Sequence, residues 1–476
     1  MMKTLFLNPP SFEGFDGGAG SRFQARREIR SFWYPTWLAQ VAALVPDSRL
    51  IDAPARGLSL EDIAPLGKDF ELAVIYASAP TFHSDVAMAE ALKRVNPALR
   101  VGFVGALSAV EPARTLAATR AAEFAARHEF DFTIQEIAAG RPLAEVDGIS
   151  WRRGDEIVHN PDRALIHDMD SLPFVAPVYH RDLVIEDYFI GYLKHPYMSL
   201  YTGRGCRSKC SFCLWPQTIG GRVYRTRSVE KVVEEVALMR TTFPQVKEFF
   251  FDDDTFTDDR PRIEAIAREL GRLGLTWSCT AKPNVPYDTL KVMRDNGLRL
   301  LLVGYETGAQ HILNNIRKGT RVDIMRRFTA DCHRLGVLIH GTFILGLPGE
   351  SRQTIRDTIA FAKEINPRTL QVSLAAPYPG TELYAQAEAN GWLADTDVVE
   401  GGLVRGDGRQ LAALGYPELP AAEIFAAVSD FYRQFYFRPA KVAEICGEML
   451  SDWDMAKRRL REGVEFLSFL HRRKAA

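Results

Sequence analysis

The chain has 476 residues, 46% hydrophobic and 25% charged, with Lys+Arg 59 against Asp+Glu 60. This length predicts two or more domains with ample core, and a net charge of -1 gives no electrostatic footprint for nucleic acid. No apolar run approaches the roughly 18 residues of a membrane span, and MMKTLFLNPPSFEG lacks a signal peptide's long apolar region, so a cytoplasmic protein is expected.

Residues 1–140 alternate strand-like and helix-like runs. KTLFLNPP reads as a strand, PTWLAQVAALVPDS as a helix and SRLIDAP as a strand. FELAVIYASAP, DVAMAEALKRVNP and RVGFVGAL follow as strand, helix and strand. This alternation predicts a doubly wound, Rossmann-like parallel sheet. Such sheets bind ligands at the carboxyl ends of their strands, which here carry Asn8-Pro9-Pro10, Ala79-Pro80 and Gly105. Residues 141–190 read as a linker with a hairpin, DGISWRRGDEIVHN, and a Pro-rich connector. Residues 191–400 hold a second βα series of six units, too few for a full eightfold barrel of about 250 residues. A partial, open (β/α)6 barrel is expected, with its chemistry at the C-terminal strand ends. Residues 401–476 read as helical.

RGCRSKCSFCLWPQ, after the first barrel strand, places Cys206, Cys210 and Cys213 in a C-x3-C-x2-C pattern. A structural zinc site uses four ligands, usually as two pairs, and there is no second pair here. Three thiolates without a fourth suit a [4Fe-4S] cluster with one open iron; the plainer alternative is three packed or zinc-binding thiols. Arg204, Arg207 and Lys209 are candidate partners for the cluster's negative charge. Cys279, Cys332 and Cys446 are scattered and read as packed thiols. FFFDDDTFT ends the second barrel strand with Asp252, Asp253 and Asp254, which can meet a cationic amine or cap the next helix. VGYETG ends the fourth with Glu306, suited to accept hydrogen bonds from hydroxyls, between Gly304 and Gly308.

With Phe212 as its aromatic residue, the cysteine run resembles the C-x3-C-x-aromatic-C motif of the radical S-adenosylmethionine (radical SAM) family, and the resemblance covers roughly residues 197–400. It implies that SAM chelates the open iron through its amino and carboxylate groups. The reduced cluster then cleaves SAM to methionine and a 5′-deoxyadenosyl radical. By the same resemblance Asp253 receives SAM's amino group and Glu306 the ribose hydroxyls. Lys282 stands where relatives often carry Arg against SAM's carboxylate, offering a point charge in place of a fork. Gly341, Gly346 and Gly349, in HGTFILGLPGES, lie in the segment beside the adenine, and AAPYPGTELY resembles the sixth-strand loop. A general acid or base is not assigned; His83, His340 and Tyr305 are only candidates.

A doubly wound domain before such a barrel resembles the cobalamin-binding subclass. Its cobalt-ligating version carries D-x-H-x-x-G after the first strand, whereas this chain has FEGFDGGAG, and His83 follows a later strand. Ligation by a lower axial His is therefore not expected; cobalamin bound without it, or a domain that only shapes the substrate pocket, both stay open. MKTLFLNPPSFEGFDGGAG with RREIRSFWYPTWLAQ resembles hopanoid-biosynthesis radical SAM proteins linked to the cyclitol ether of bacteriohopanetetrol. That implies contraction of a hexosamine ring on a hopanoid glycoside to an aminocyclopentitol, with an electron donor such as flavodoxin or ferredoxin. The alternatives are a cobalamin-dependent radical methylase acting on a hopanoid or other lipid-like substrate, and a non-catalytic iron–sulfur carrier. KRRLREGVEFLSFLHRRK reads as a basic amphipathic helix, able to lie peripherally on the inner membrane face or to pack on the barrel.

Overall fold

Runs such as TLFLN and LAVIY are buried at every position, the signature of central parallel strands covered on both faces. In the computed structural model, which describes residues 1–12, 15–16, 28–394, 397–398, 402–451 and 453–474, they are β1 (Thr4–Asn8) and β3 (Leu72–Tyr76). With β2 (Ser48–Asp52), β4 (Arg100–Val104) and β5 (Phe124–Ala126) they form a parallel sheet of order β2-β1-β3-β4-β5. The order reverses beside β1, the crevice where such folds take ligands. At the end of β4, Gly105 has φ +112°, and a Cβ there would stand 2.7 Å from the Ala77 carbonyl oxygen.

The hairpin read as part of the linker is instead an extension of this sheet. Its arms, β6 (Ile149–Arg153) and β7 (Glu156–His159), continue it antiparallel beyond β5. The cause is an unpaired edge: β5 offers open backbone groups, and Phe124, Ala125 and Ala126 pair with Trp151, Ser150 and Ile149.

The second sheet runs in chain order: β8 (Tyr197–Leu200), β11 (Glu248–Phe251), β12 (Trp277–Ala281), β13 (Leu298–Glu306), β14 (Leu338–Leu345) and β15 (Thr369–Leu374). All six are parallel, and β8 and β15 are its two edges, so the expected six-stranded barrel is open. A short antiparallel pair, β9 (Gly203–Arg204) and β10 (Arg225–Thr226), sits above β8. Helix Ala421–Tyr436 covers the open edge of β15. There Tyr432 and Tyr436 accept hydrogen bonds from the Val372 and Leu370 N–H groups at 2.8 and 2.9 Å. Helices Pro439–Ser451 and Trp453–Lys474 follow, and among the described residues no helix is long and apolar enough to cross a membrane.

The two sheets share one core. Tyr34 stacks on Tyr188 at 4.1 Å and donates to the Tyr197 carbonyl, while Tyr197 donates to the Phe32 carbonyl. Trp33 meets Phe250 edge-on. Beneath the cysteine loop lies a buried ionic cluster: Arg204 donates to Asp131, Glu129 and Gln40, and Arg225 to Glu129. These contacts hold the C-terminal rim of the barrel against the doubly wound sheet.

Candidate cluster and cofactor site

All three motif cysteines are free thiols; Cys206 and Cys210 are buried and Cys213 is half-buried. Their loop is folded by a specific frame. Gly205 takes φ +87°, where a Cβ would collide with the Val223 and Gly220 carbonyls. Gln217, on the short helix Leu214–Thr218, donates to the Cys213 and Ser211 carbonyls at 2.7 and 3.1 Å, while its carbonyl oxygen accepts from Glu382 N–H. Ser211 is held from both sides: its N–H donates to the Ile316 carbonyl and its carbonyl accepts from Leu383 N–H, both at 3.0 Å. Arg222 donates to the Ser208 carbonyl.

Among the described residues no three His, Cys, Asp or Glu side chains converge to hold a metal ion. The three motif thiols sit together on one framed loop. Burial is the main force raising the Cys210 thiol above its usual range, with Glu306 and Cys206 adding to it; Lys318 and Lys282 oppose it.

The strand-end residues expected to surround a cofactor are partly gathered here. Glu306 closes β13 with φ +65°, at a register shift in the pairing with β14. It is 5% exposed and ion-paired with Lys318. Gly304 makes room for that pair, since a Cβ there would meet the Glu306 carboxylate and stand 2.9 Å from Lys318 Nζ. Lys282 follows β12 and bonds Asp258 at 2.8 Å. Phe212 packs against the Ile312, Leu347 and Ala375 cluster.

Asp253 departs from the expectation of a carboxylate open to an amine. It is fully buried and accepts from Thr202 N–H, the Thr202 hydroxyl and the Tyr224 hydroxyl at 2.6, 2.7 and 2.7 Å. Burial pushes its pKa up, while Arg262 and these donors pull it down. Its neighbour Asp254 accepts from Gly205 N–H at 3.0 Å, so this strand end braces the cysteine loop. Gly346 (φ +89°) is buried against Ile424; its N–H donates to Glu350 and its carbonyl accepts from Tyr416. Gly308 admits Phe361, and Gly341 lies against the Tyr305 and Phe343 rings, so both serve packing.

Other expectations are corrected. Arg204 turns its buried guanidinium away from the cysteines, over Trp37 and onto Asp131 and Glu129, because those buried carboxylates need a partner. Arg207 and Lys209 are exposed, and so is Cys446, while Cys279 and Cys332 are packed. His83 is exposed; Tyr305 is buried with its hydroxyl 2.6 Å from Thr329. His340 lies near the N-terminal end of β14, away from the rim, stacked 3.9 Å from Tyr192. Lys318, Gln217 and Glu350 were not singled out from sequence. Gln217 was findable, four residues beyond Cys213 on one helical turn. Lys318 gave only an Arg-Lys-Gly turn.

Residues 200–362 match the Radical SAM superfamily. The chain is 29% identical over 405 residues to an uncharacterized methyltransferase of Pyrococcus horikoshii, covering 83% of this chain and 84% of that one. It is 25% identical to the anaerobic magnesium-protoporphyrin IX monomethyl ester cyclase of Cereibacter sphaeroides, covering 92% and 71%. Among solved structures it shares the fold of OxsB, a cobalamin-dependent S-adenosylmethionine radical enzyme with aqua-cobalamin and S-adenosylmethionine bound. There the TM-score is 0.69 at 13% identity, over 97% of this chain and 72% of that one.

Proposed function

With a central barrel of the radical SAM superfamily, we propose that this enzyme contracts the hexosamine ring of a bacteriohopanetetrol glycoside to a cyclitol ether. The observation that carries the radical part is the framed three-thiol loop at the strand ends, faced by Glu306, Lys318 and Lys282. When bound at such a cluster, SAM supplies a 5′-deoxyadenosyl radical that takes a hydrogen atom from the substrate. In this reading Cys206, Cys210 and Cys213 hold the cluster. Glu306 receives the ribose hydroxyls, and Gly304 leaves the space beside it. Lys282 meets SAM's carboxylate, while Phe212 and Gly346 shape the adenine side. Asp253 acts by holding Thr202 beneath the loop.

The strand ends of the doubly wound sheet face the same rim. Ser78, Ala79, Ala106 and Leu107 line a crevice with Leu214, Tyr378 and Pro379. Near these strand ends the Tyr76 and Ser108 hydroxyls are buried without a hydrogen-bond partner, which suits a polar group docking at this edge. These residues would meet a corrinoid. The crevice holds about 10 Å³, so it does not accommodate a corrinoid in this conformation.

The ring-contraction part rests on the resemblance of the N-terminal segments. Its residues 32–34 make the contacts with Tyr197 and Phe250 that seat the doubly wound sheet on the barrel. A relative that covers 92% of the chain is named as a cyclase, which is compatible with this reading. For a lipid-like substrate, helix Trp453–Lys474 exposes Leu460, Val464 and Leu467 along one face. Beside them Phe437, Val442, Ile445 and Phe466 line a largely apolar cavity of about 320 Å³, which supports peripheral contact with a membrane surface.

Methyl transfer is the second reading, favoured by the Pyrococcus horikoshii relative named as a methyltransferase. Anaerobically reconstituted, reduced protein with SAM and bacteriohopanetetrol glucosamine separates the two. Ring contraction predicts 5′-deoxyadenosine and a product isobaric with the substrate or two hydrogens apart from it. S-adenosylhomocysteine with one added methyl group overturns it in favour of methylation.

A further inference from the structure

A cluster held by three thiolates carries negative charge, and its counter-charge must come from groups that reach the loop. Of the three cations nearest in sequence, Arg204 is buried in the ionic cluster below, and Arg207 and Lys209 are exposed. Lys318 is brought there by the fold. It lies on the turn after helix Gln310–Asn315, two residues beyond Ile316. The Ile316 carbonyl accepts from Ser211 N–H, between Cys210 and Cys213. The adjoining Arg317 (φ +54°) pairs with Glu382, whose neighbour Leu383 donates to the Ser211 carbonyl. The turn is thus clipped to the cysteine loop on two sides.

From this turn the Lys318 side chain, 14% exposed, reaches back to Glu306. Gly304 is the cradle for this arrangement. We infer that Lys318 is a positioning residue that supplies positive charge to the cluster loop and fixes the Glu306 carboxylate at the cofactor face. The inference rests on the cluster proposed above. Removing the cation makes adding an electron to the cluster harder, and removing the neighbouring anion makes it easier.

The test is a redox titration of the anaerobically reconstituted protein, followed by low-temperature electron paramagnetic resonance. Lys318→Met is expected to shift the cluster's reduction potential to more negative values. Lys318→Arg should stay close to wild type, and Glu306→Gln should shift it the opposite way. Loss of the cluster in Lys318→Met with retention in Lys318→Arg supports the same role. An unmoved potential in Lys318→Met, or equal cluster loss in both lysine variants, overturns the inference and leaves Lys318 a packing residue. Wild-type protein that takes up no iron–sulfur cluster overturns the underlying cluster assignment instead.

Discussion

At the scale of single residues, the site depends on positions where backbone and charge leave little freedom. Gly205 is the sharpest case. Alanine there combines left-handed strain of about 1–3 kcal/mol with a collision against the Val223 and Gly220 carbonyls. Gly205→Ala is expected to reduce iron per chain after reconstitution to a small fraction of wild type while the far-ultraviolet circular dichroism is kept. Full iron content would remove the loop frame from the account. The cysteine motif and Glu306 were legible because each is a local pattern at a strand end. Lys318 was not, since its approach depends on a turn packing onto a loop about a hundred residues away. The bonding of Asp253 was not legible for a related reason. Three consecutive aspartates look equivalent on paper, and only the fold puts Thr202 and Tyr224 beside the middle one.

At the scale of elements, the alternation of strands and helices made both sheets readable, and edges were the part that was not. Nothing local in DGISWRRGDEIVHN says whether its arms pair with each other alone or also extend a sheet; the open edge of β5 decided it. The other edge, β15, is protected by side chains from a helix some sixty residues on, a contact with no periodic signature. Tyr432→Phe leaves the buried Val372 N–H without its acceptor. It should cost about 1–2 kcal/mol of stability, read as a lower urea midpoint. A midpoint equal to wild type would mean that water or a neighbour satisfies that edge.

At the scale of the whole molecule, the doubly wound sheet and the barrel are joined by buried charge. Glu129 takes both Arg204 and Arg225, and Arg204 also takes Asp131. Arg225→Met leaves Glu129 partly uncompensated and should destabilise the chain by about 3–5 kcal/mol, seen in thermal denaturation. Two buried carboxyls set a pH dependence: burial pushes Asp52 and Glu350 each up to about 7. The folded chain therefore keeps protons that the unfolded chain has released. Stability attributable to these groups is full at acid pH, falls as pH rises from about 4 to about 7, and then levels off. Asp52→Asn should flatten part of that slope in denaturation midpoints measured across this range. The three-cysteine loop at the barrel's strand ends is proposed to build a SAM-cleaving centre. Its most direct test is mass spectrometry of reduced, anaerobically reconstituted protein incubated with SAM, beside Cys213→Ala. 5′-Deoxyadenosine and methionine are expected from the wild type and neither above background from the variant. Equal cleavage by both, or none by a wild-type protein that holds its cluster, would contradict it.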